Sequence, residues 1–125
     1  MKPPRNQPLF YSAMALVALL LLAACGNETY GSGVDPAAPE VEIRDIFLQP
    51  DLLGQKVTVE GQVHTQCDSN GCWVVLQGAG AQLFVDFSQH NFELPTMPGR
   101  TIRATGTVTN YQNNLLLVAE GVETR

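Results

Sequence analysis

Apolar and polar residues alternate along 56–65: Val57, Val59, Gly61 and Val63 fall to one side, and Lys56, Thr58, Glu60 and Gln62 to the other. A period of two predicts a strand with one buried face. The same reading gives four further strands, at 72–77, 82–87, 101–109 and 115–120. Gly78, Ala79 and Gly80 form one turn between them, and 110–113 another. The stretch 88–99 holds Pro95, Pro98 and Gly99 and reads as an irregular connection. Ahead of the strands the period changes. Ile43, Ile46 and Phe47 recur at helical spacing, with Glu42 and Asp45 near the start and Pro50 at the end. A short lid helix of about two turns is expected there.

One internal echo bears on architecture. The stretch 54–63 recurs at 99–108, each copy entering on a glycine and carrying a second one, Gly61 or Gly106, inside the strand. Glycine within a strand marks a bulge or a sharp bend, as at the corner of a barrel. Five strands, two of them long and bent, suit a small, partly open Greek-key barrel. With the leading helix, this order resembles an OB-fold. The expected fold is all-β: a five-stranded OB-like Greek-key barrel with a short N-terminal helix, spanning 41–125.

The first forty residues belong to a different pattern. Lys2 and Arg5 precede an apolar run over 9–22, which ends in Leu22, Ala23, Ala24 and Cys25. A basic start, a short apolar run and small residues before a cut describe a secretory signal. The run is shorter than the roughly 20 residues of a membrane-spanning helix. Leu22-Ala23-Ala24-Cys25 resembles the bacterial lipobox. That resemblance implies cleavage of a signal peptide over 1–24, a diacylglycerol thioether on Cys25, and a new amino group open to acylation with a chain such as palmitate. Each buried CH₂ contributes about 0.8 kcal/mol, so two or three chains make a firm membrane anchor. Gly26 at the second mature position resembles lipoproteins sorted to the outer membrane, facing the periplasm, of a cell that has one. Residues 25–40 are small and polar, and read as the lipidated cysteine and a flexible tether.

Cleavage there leaves five basic against twelve acidic residues, a formal charge of −7. Phosphate backbones are held by Lys and Arg, so nucleic acid is not an expected partner. Export also means an oxidising compartment, where disulfides persist. With Cys25 taken by lipid, Cys67 and Cys72 remain as a pair, flanking a four-residue loop with Trp73 directly behind.

Two chemistries compete for that pair. Opposed residues on a hairpin have Cβ atoms about 4.5–5.5 Å apart, and a disulfide needs about 3.5–4.5 Å, so bonding requires only modest adjustment. Closing about six residues contributes about 2 kcal/mol. The alternative is a soft metal, copper or zinc, with Cys67 and Cys72 as ligands and His64 as a weak third. His64 lies three residues before Cys67, so a regular strand points it to the opposite face. His90 reads as a solvated loop residue. Catalysis has little support: the spacing is not Cys-x-x-Cys, no Lys or Arg adjoins either thiol, and Asp68 disfavours a thiolate. Catalytic residues are therefore not expected.

Trp73 has two readings. If Cys72, Val74 and Leu76 face inward, then Trp73 and Val75 face outward beside Phe84, on the strands where OB-folds bind ligands. The opposite phase buries Trp73 in the core. An outward face would suit a sugar or a peptide better than a nucleic acid.

The region 41–123 also resembles a family of exported bacterial OB-like domains whose activity is uncharacterised. The matching features are the entry at 54–61, Cys67-x₄-Cys72-Trp73, and Phe87 followed by Phe92 and Pro95. Members often place methionine after the tryptophan, where this chain has Val74. The resemblance implies fold and export rather than activity. The expected function is that of a non-enzymatic, lipid-anchored binding or accessory module. A Cys67–Cys72 disulfide would staple its hairpin, no cofactor is expected, and the partner is an envelope protein or small ligand. The alternative is a copper, zinc or thiol-redox protein using the same pair.

Overall fold

A computed structural model describes residues 27–68 and 71–125. The segment expected to be a signal peptide and Cys25 lie outside the described residues, as do Ser69 and Asn70. In chain order the elements are β1 (Thr29–Gly31), α1 (Ile43–Leu48), a 3₁₀ turn (Pro50–Leu52), β2 (Lys56–Gln66), β3 (Trp73–Gly78), β4 (Ala81–Asp86), a second 3₁₀ turn (Ser88–His90), β5 (Thr101–Tyr111) and β6 (Asn114–Thr124).

The five strands predicted from alternation close into one barrel. β2 pairs antiparallel with β3 and β5, β3 with β4, and β5 with β6; a parallel pairing of β4 with β6 completes the ring. The first half of β2 lies on β5 and the second half on β3, and the change of partner falls at Gln62, next to Gly61. A Cβ on Gly61 would stand 2.9 Å from Ile43 Cδ1, so the missing side chain is what lets α1 sit down on the bend. Gly106 lies at a bulge against β6, where a Cβ would be 2.3 Å from the Val118 carbonyl oxygen. Both interior glycines therefore mark irregular points of the barrel, as their position in strands suggests.

Inward residues of every strand fill the barrel: Val57, Val59 and Val63, then Val74 and Leu76, Leu83 and Val85, Ile102, Ala104 and Val108, and Leu117, Ala119 and Val122. Ile43 and Ile46 add the buried face of α1. The Glu42 amide donates to Asp45 Oδ2 at 3.0 Å across the first turn, and Pro50 follows the helix end. Phe47, grouped with those two isoleucines by spacing, is 45% exposed instead. Six residues make too short a helix to bury a wide apolar stripe.

The strands run longer than alternation suggests. β6 continues past Gly121 to Thr124 because it stays paired with β5 and gains β1 on its other side. The β5–β6 hairpin turns on Gln112 and Asn113 alone, both with positive φ, the two-residue turn that matches strand twist.

From residue 27 onward, the stretch expected to be a flexible tether lies on the barrel as a strap. β1 pairs with β6, and the Ser32 amide donates to the Glu120 carbonyl at 2.9 Å. The Asp35 amide donates to Thr105 Oγ1 at 3.1 Å, while the Thr58 amide donates to the Pro39 carbonyl and its carbonyl accepts from Val41. Lys56 Nζ bridges Asp35 at 2.9 Å and Glu120 at 2.8 Å. The strap buries Thr58 and Thr105, whose hydroxyls meet at 2.7 Å. Nearly all of this hold is backbone hydrogen bonding and charge, which hydropathy does not register.

The packing carries two expected outcomes. Ile43→Ala should cost about 2–5 kcal/mol in urea unfolding, the range for truncating a buried isoleucine; a loss under about 1 kcal/mol would place α1 off the barrel. The second concerns pH. The hydrogen bond from Lys56 lowers the Asp35 carboxyl, and Glu120 and then Asp35 raise the Lys56 ammonium. A carboxyl lowered on folding adds stability above its unfolded value, lost as pH falls through the folded one. An ammonium raised on folding adds stability below its unfolded value, lost as pH rises through the folded one. The ionic hold on the strap is thus complete across the middle of the pH range and weakens only in strong acid or strong alkali. An NMR titration of the Asp35 amide should show release at those extremes, and release centred near neutral pH would contradict it.

Candidate functional site

The register of β3 settles the phase of the tryptophan. Val74 and Leu76 are fully buried, so Trp73 and Val75 lie on the outer face. Trp73 is opposite Asp86 and Val75 opposite Phe84. That makes Trp73 and Phe84 diagonal neighbours, and their rings stack with centroids 5.4 Å apart at 27°. On the other edge of β4, Phe84 is level with Leu116 of β6. Val75, Phe84 and Leu116 line a hollow of about 600 Å³ together with Phe47, Tyr111 and the amides Gln82, Asn113 and Asn114, and Trp73 stands outside that lining, stacked on Phe84. Tyr111 is 63% exposed and Phe84 39%, high values for aromatic rings.

None of the residues lining this hollow is charged. Four cations elsewhere on the chain are engaged: Arg44 with Glu42, Lys56 with Asp35 and Glu120, Arg103 with Glu40, and Arg125 with Glu60.

The cysteine hairpin adjoins this face through Trp73. The Cys67 amide donates to the Trp73 carbonyl at 3.2 Å, and the Cys72 carbonyl accepts from Phe87 at 2.8 Å. The two sulfurs are 3.3 Å apart, with the Cys72 thiol donating to Cys67 Sγ. A disulfide would be about 2.05 Å, so the structure holds two thiols in contact, each partly exposed. The hydrogen bond to Cys67, followed by burial, pushes the Cys72 thiol upward. That direction is opposite to the one that activates a nucleophile.

His64 sits at a bulge in β2, where pairing shifts between Val63 and Thr65. The extra residue leaves both His64 and Thr65 exposed and changes the phase of the strand beyond it. Gln66 consequently turns toward the connection between β4 and β5. Its Nε2 donates to the carbonyls of Leu94 at 3.1 Å and Pro95 at 2.8 Å, and its Oε1 accepts from the Met97 amide at 3.0 Å. Gly71 completes this clamp: its carbonyl accepts from Leu94 at 3.2 Å, and its φ of +58° with a Cβ position 2.0 Å from the Leu94 oxygen admits only glycine. His90 is exposed at the end of the second 3₁₀ turn. Among the described residues no group of three or more His, Cys, Asp or Glu gathers where a metal could be held.

The structure thus brings Trp73, Val75 and Phe84 together, and Cys67 with Cys72, while His64 stands apart from a gathered ligand set. Sequence reasoning missed Tyr111, Leu116 and Phe47 as neighbours of the aromatic pair. An exposed tyrosine at a hairpin turn was the one available signal. It also missed Gln66, whose role depends on a bulge.

No family model matches the chain, and no curated protein sequence does. Solved structures do resemble it. A chain from Leishmania major Friedlin, provisionally described as an aspartyl-tRNA synthetase, superposes with a TM-score of 0.59 at 12% identity over 74% of this chain. This chain spans only 22% of that one. The E. coli hypothetical protein ygiW matches with a TM-score of 0.56 at 15% identity, over 72% of this chain and 94% of its own. At such identities the likeness shows the fold alone, and that fold is an OB-like barrel.

Gln66→Ala should free the connection at 93–97 and cost about 0.5–1.5 kcal/mol, the net scale of a part-exposed hydrogen bond. Hydrogen exchange at the Met97 amide should accelerate while the β2–β5 ladder stays protected. Unchanged exchange at Met97 would show that the clamp does not hold the loop.

Proposed function

We propose that the chain is a non-enzymatic binding module of the bacterial cell envelope, anchored by lipid on Cys25, with its ligand surface on the outer face of β3 and β4. The observation that carries this reading is the aromatic surface of Phe84 and Tyr111, with Trp73 stacked on Phe84, exposed around a hollow whose lining holds no charged residue. OB barrels use the equivalent strands and their flanking loops to bind extended ligands. With four of its cations in ion pairs, the chain offers little to a phosphate backbone, and nucleic acid is not the proposed partner.

In this reading Cys67 and Cys72 form a disulfide in the exported protein. The contact at 3.3 Å supports it, since a modest side-chain rotation closes the bond. Closure removes two electrons and two protons, taken by a disulfide oxidant of that compartment, which is itself reduced to two thiols. The staple then stiffens the hairpin that carries Trp73. Copper or zinc on the same pair is the weaker reading, because these two sulfurs are the only donors brought together there among the described residues.

The test uses protein taken from its native compartment. Titration under denaturing conditions should find no reactive thiol until a reductant is added, and then two. Two thiols before reduction, accompanied by stoichiometric copper or zinc, would replace the staple with a metal site. Cys25→Ser should move the protein from the membrane to the soluble fraction, and retention in the membrane would remove the lipid anchor from the account.

A further inference from the structure

We propose that the occupant of the Trp73–Phe84 face is an uncharged oligosaccharide. This rests on the reading of that face as the ligand surface and goes further by naming the chemical class. Three observations select it.

The first is charge. The hollow is lined by neutral side chains alone, in a chain whose exported form carries seven more acids than bases. An anionic polymer would meet no counter-charge there and would be repelled by the surrounding field. A cationic one would find no carboxylate in the lining, since Asp86, opposite Trp73 on the same face, lies outside it and already accepts from the Ser88 amide and hydroxyl. Neutral lining matches a neutral ligand.

The second is backbone satisfaction. An extended peptide gains most of its affinity by adding a strand to an open sheet edge. The open edge beneath this face is short: β6 pairs with β4 over Phe84–Asp86, which leaves only 81–83 of β4 without a partner on that side. β3 is paired with β2 and β4, and β4 is paired with β3 and with β6. A peptide laid across the face would leave most of its own amides and carbonyls without main-chain partners. Recognition falls to side chains.

The third is what those side chains are. Phe84, Tyr111 and Phe47 offer ring surface, and Gln82, Asn113 and Asn114 offer neutral amides around it. A pyranose has an apolar C–H face, which packs on an aromatic ring, and hydroxyls at its rim, which both donate and accept. Amide side chains do both as well, unlike carboxylates or ammonium groups. The positive-φ turn at Gln112 and Asn113 fixes Tyr111, Asn113 and Asn114 on a short hairpin, so little ordering is required on binding. The volume, about 600 Å³, falls within the roughly 300–1,000 Å³ of small-molecule sites.

Trp73 is the only tryptophan in the chain and stacks on Phe84, which lines the hollow, so its emission reports on occupancy through that ring. The full chain is titrated with chitotetraose and cellotetraose, and in parallel with a neutral hexapeptide and a single-stranded oligothymidylate. A saturable change in emission with at least one oligosaccharide is expected. Tyr111→Ala, a substitution at an exposed ring that should leave the far-ultraviolet spectrum unchanged, should weaken it by about two- to tenfold, the scale of losing one aromatic contact. A saturable, Tyr111-dependent response to the peptide or the oligothymidylate, with none to either sugar, overturns the class and leaves the face standing. Sugar binding of equal strength in Tyr111→Ala places the ligand elsewhere and overturns the face as well. No response to any of the four probes overturns both.

Discussion

The parallel pairing of β4 with β6 is the constraint on which the rest of this molecule depends. It joins the two ends of the strand order, so that each barrel strand has a paired neighbour on both sides. With no strand able to slide, the inward and outward sets of side chains are fixed together. A slip of one residue in β3 would turn Val74 and Leu76 to solvent and drive Trp73 inside. Packing of Val74, Leu76, Leu83, Val85 and Leu117 against one another forbids that slip. The outward tryptophan is thus a consequence of closure rather than a local preference.

Closure also explains how hairpin, loop and face act as one unit. The bulge at His64 lets β2 change phase without disturbing the core, and the gain is Gln66 turned onto the connection after β4. That connection receives Gly71 from the other side of the hairpin. Cys67 holds the Trp73 carbonyl, and Cys72 holds the Phe87 amide at the end of β4. A change in the bonding of the two sulfurs therefore reaches the tryptophan through one peptide unit. Beneath them Phe87, fully buried, tilts against Phe92 at 4.9 Å and ties the same loop to the core.

Strands, their order and the barrel were legible because period-two alternation with β-branched residues is a strong local signal, and Gly61 and Gly106 named the irregular points. The strap at 27–41 was not legible. Its residues bury little carbon, and its hold comes from amides, the Thr58–Thr105 hydroxyl pair and the Lys56 bridge, all long-range in sequence. For the site, the composition of the aromatic face was legible in Trp73, Val75 and Phe84, while its phase was not. Either face of β3 carries apolar residues, and only the register against β4 and β6 decides between them. Gln66 and Tyr111 lay beyond reach for the same reason: one is aimed by a bulge, and the other is brought in by the barrel's curvature.

The claim that everything else builds on is that Trp73 is a surface residue of β3, held by one aromatic neighbour. Urea unfolding of Trp73→Ala, followed by circular dichroism and compared with the parent chain, tests it most directly. An outward Trp73 whose main contact is the Phe84 ring predicts a loss of about 1 kcal/mol. A loss of about 3–5 kcal/mol, the range for truncating a core tryptophan, would put Trp73 inside the barrel and remove the binding face from the account.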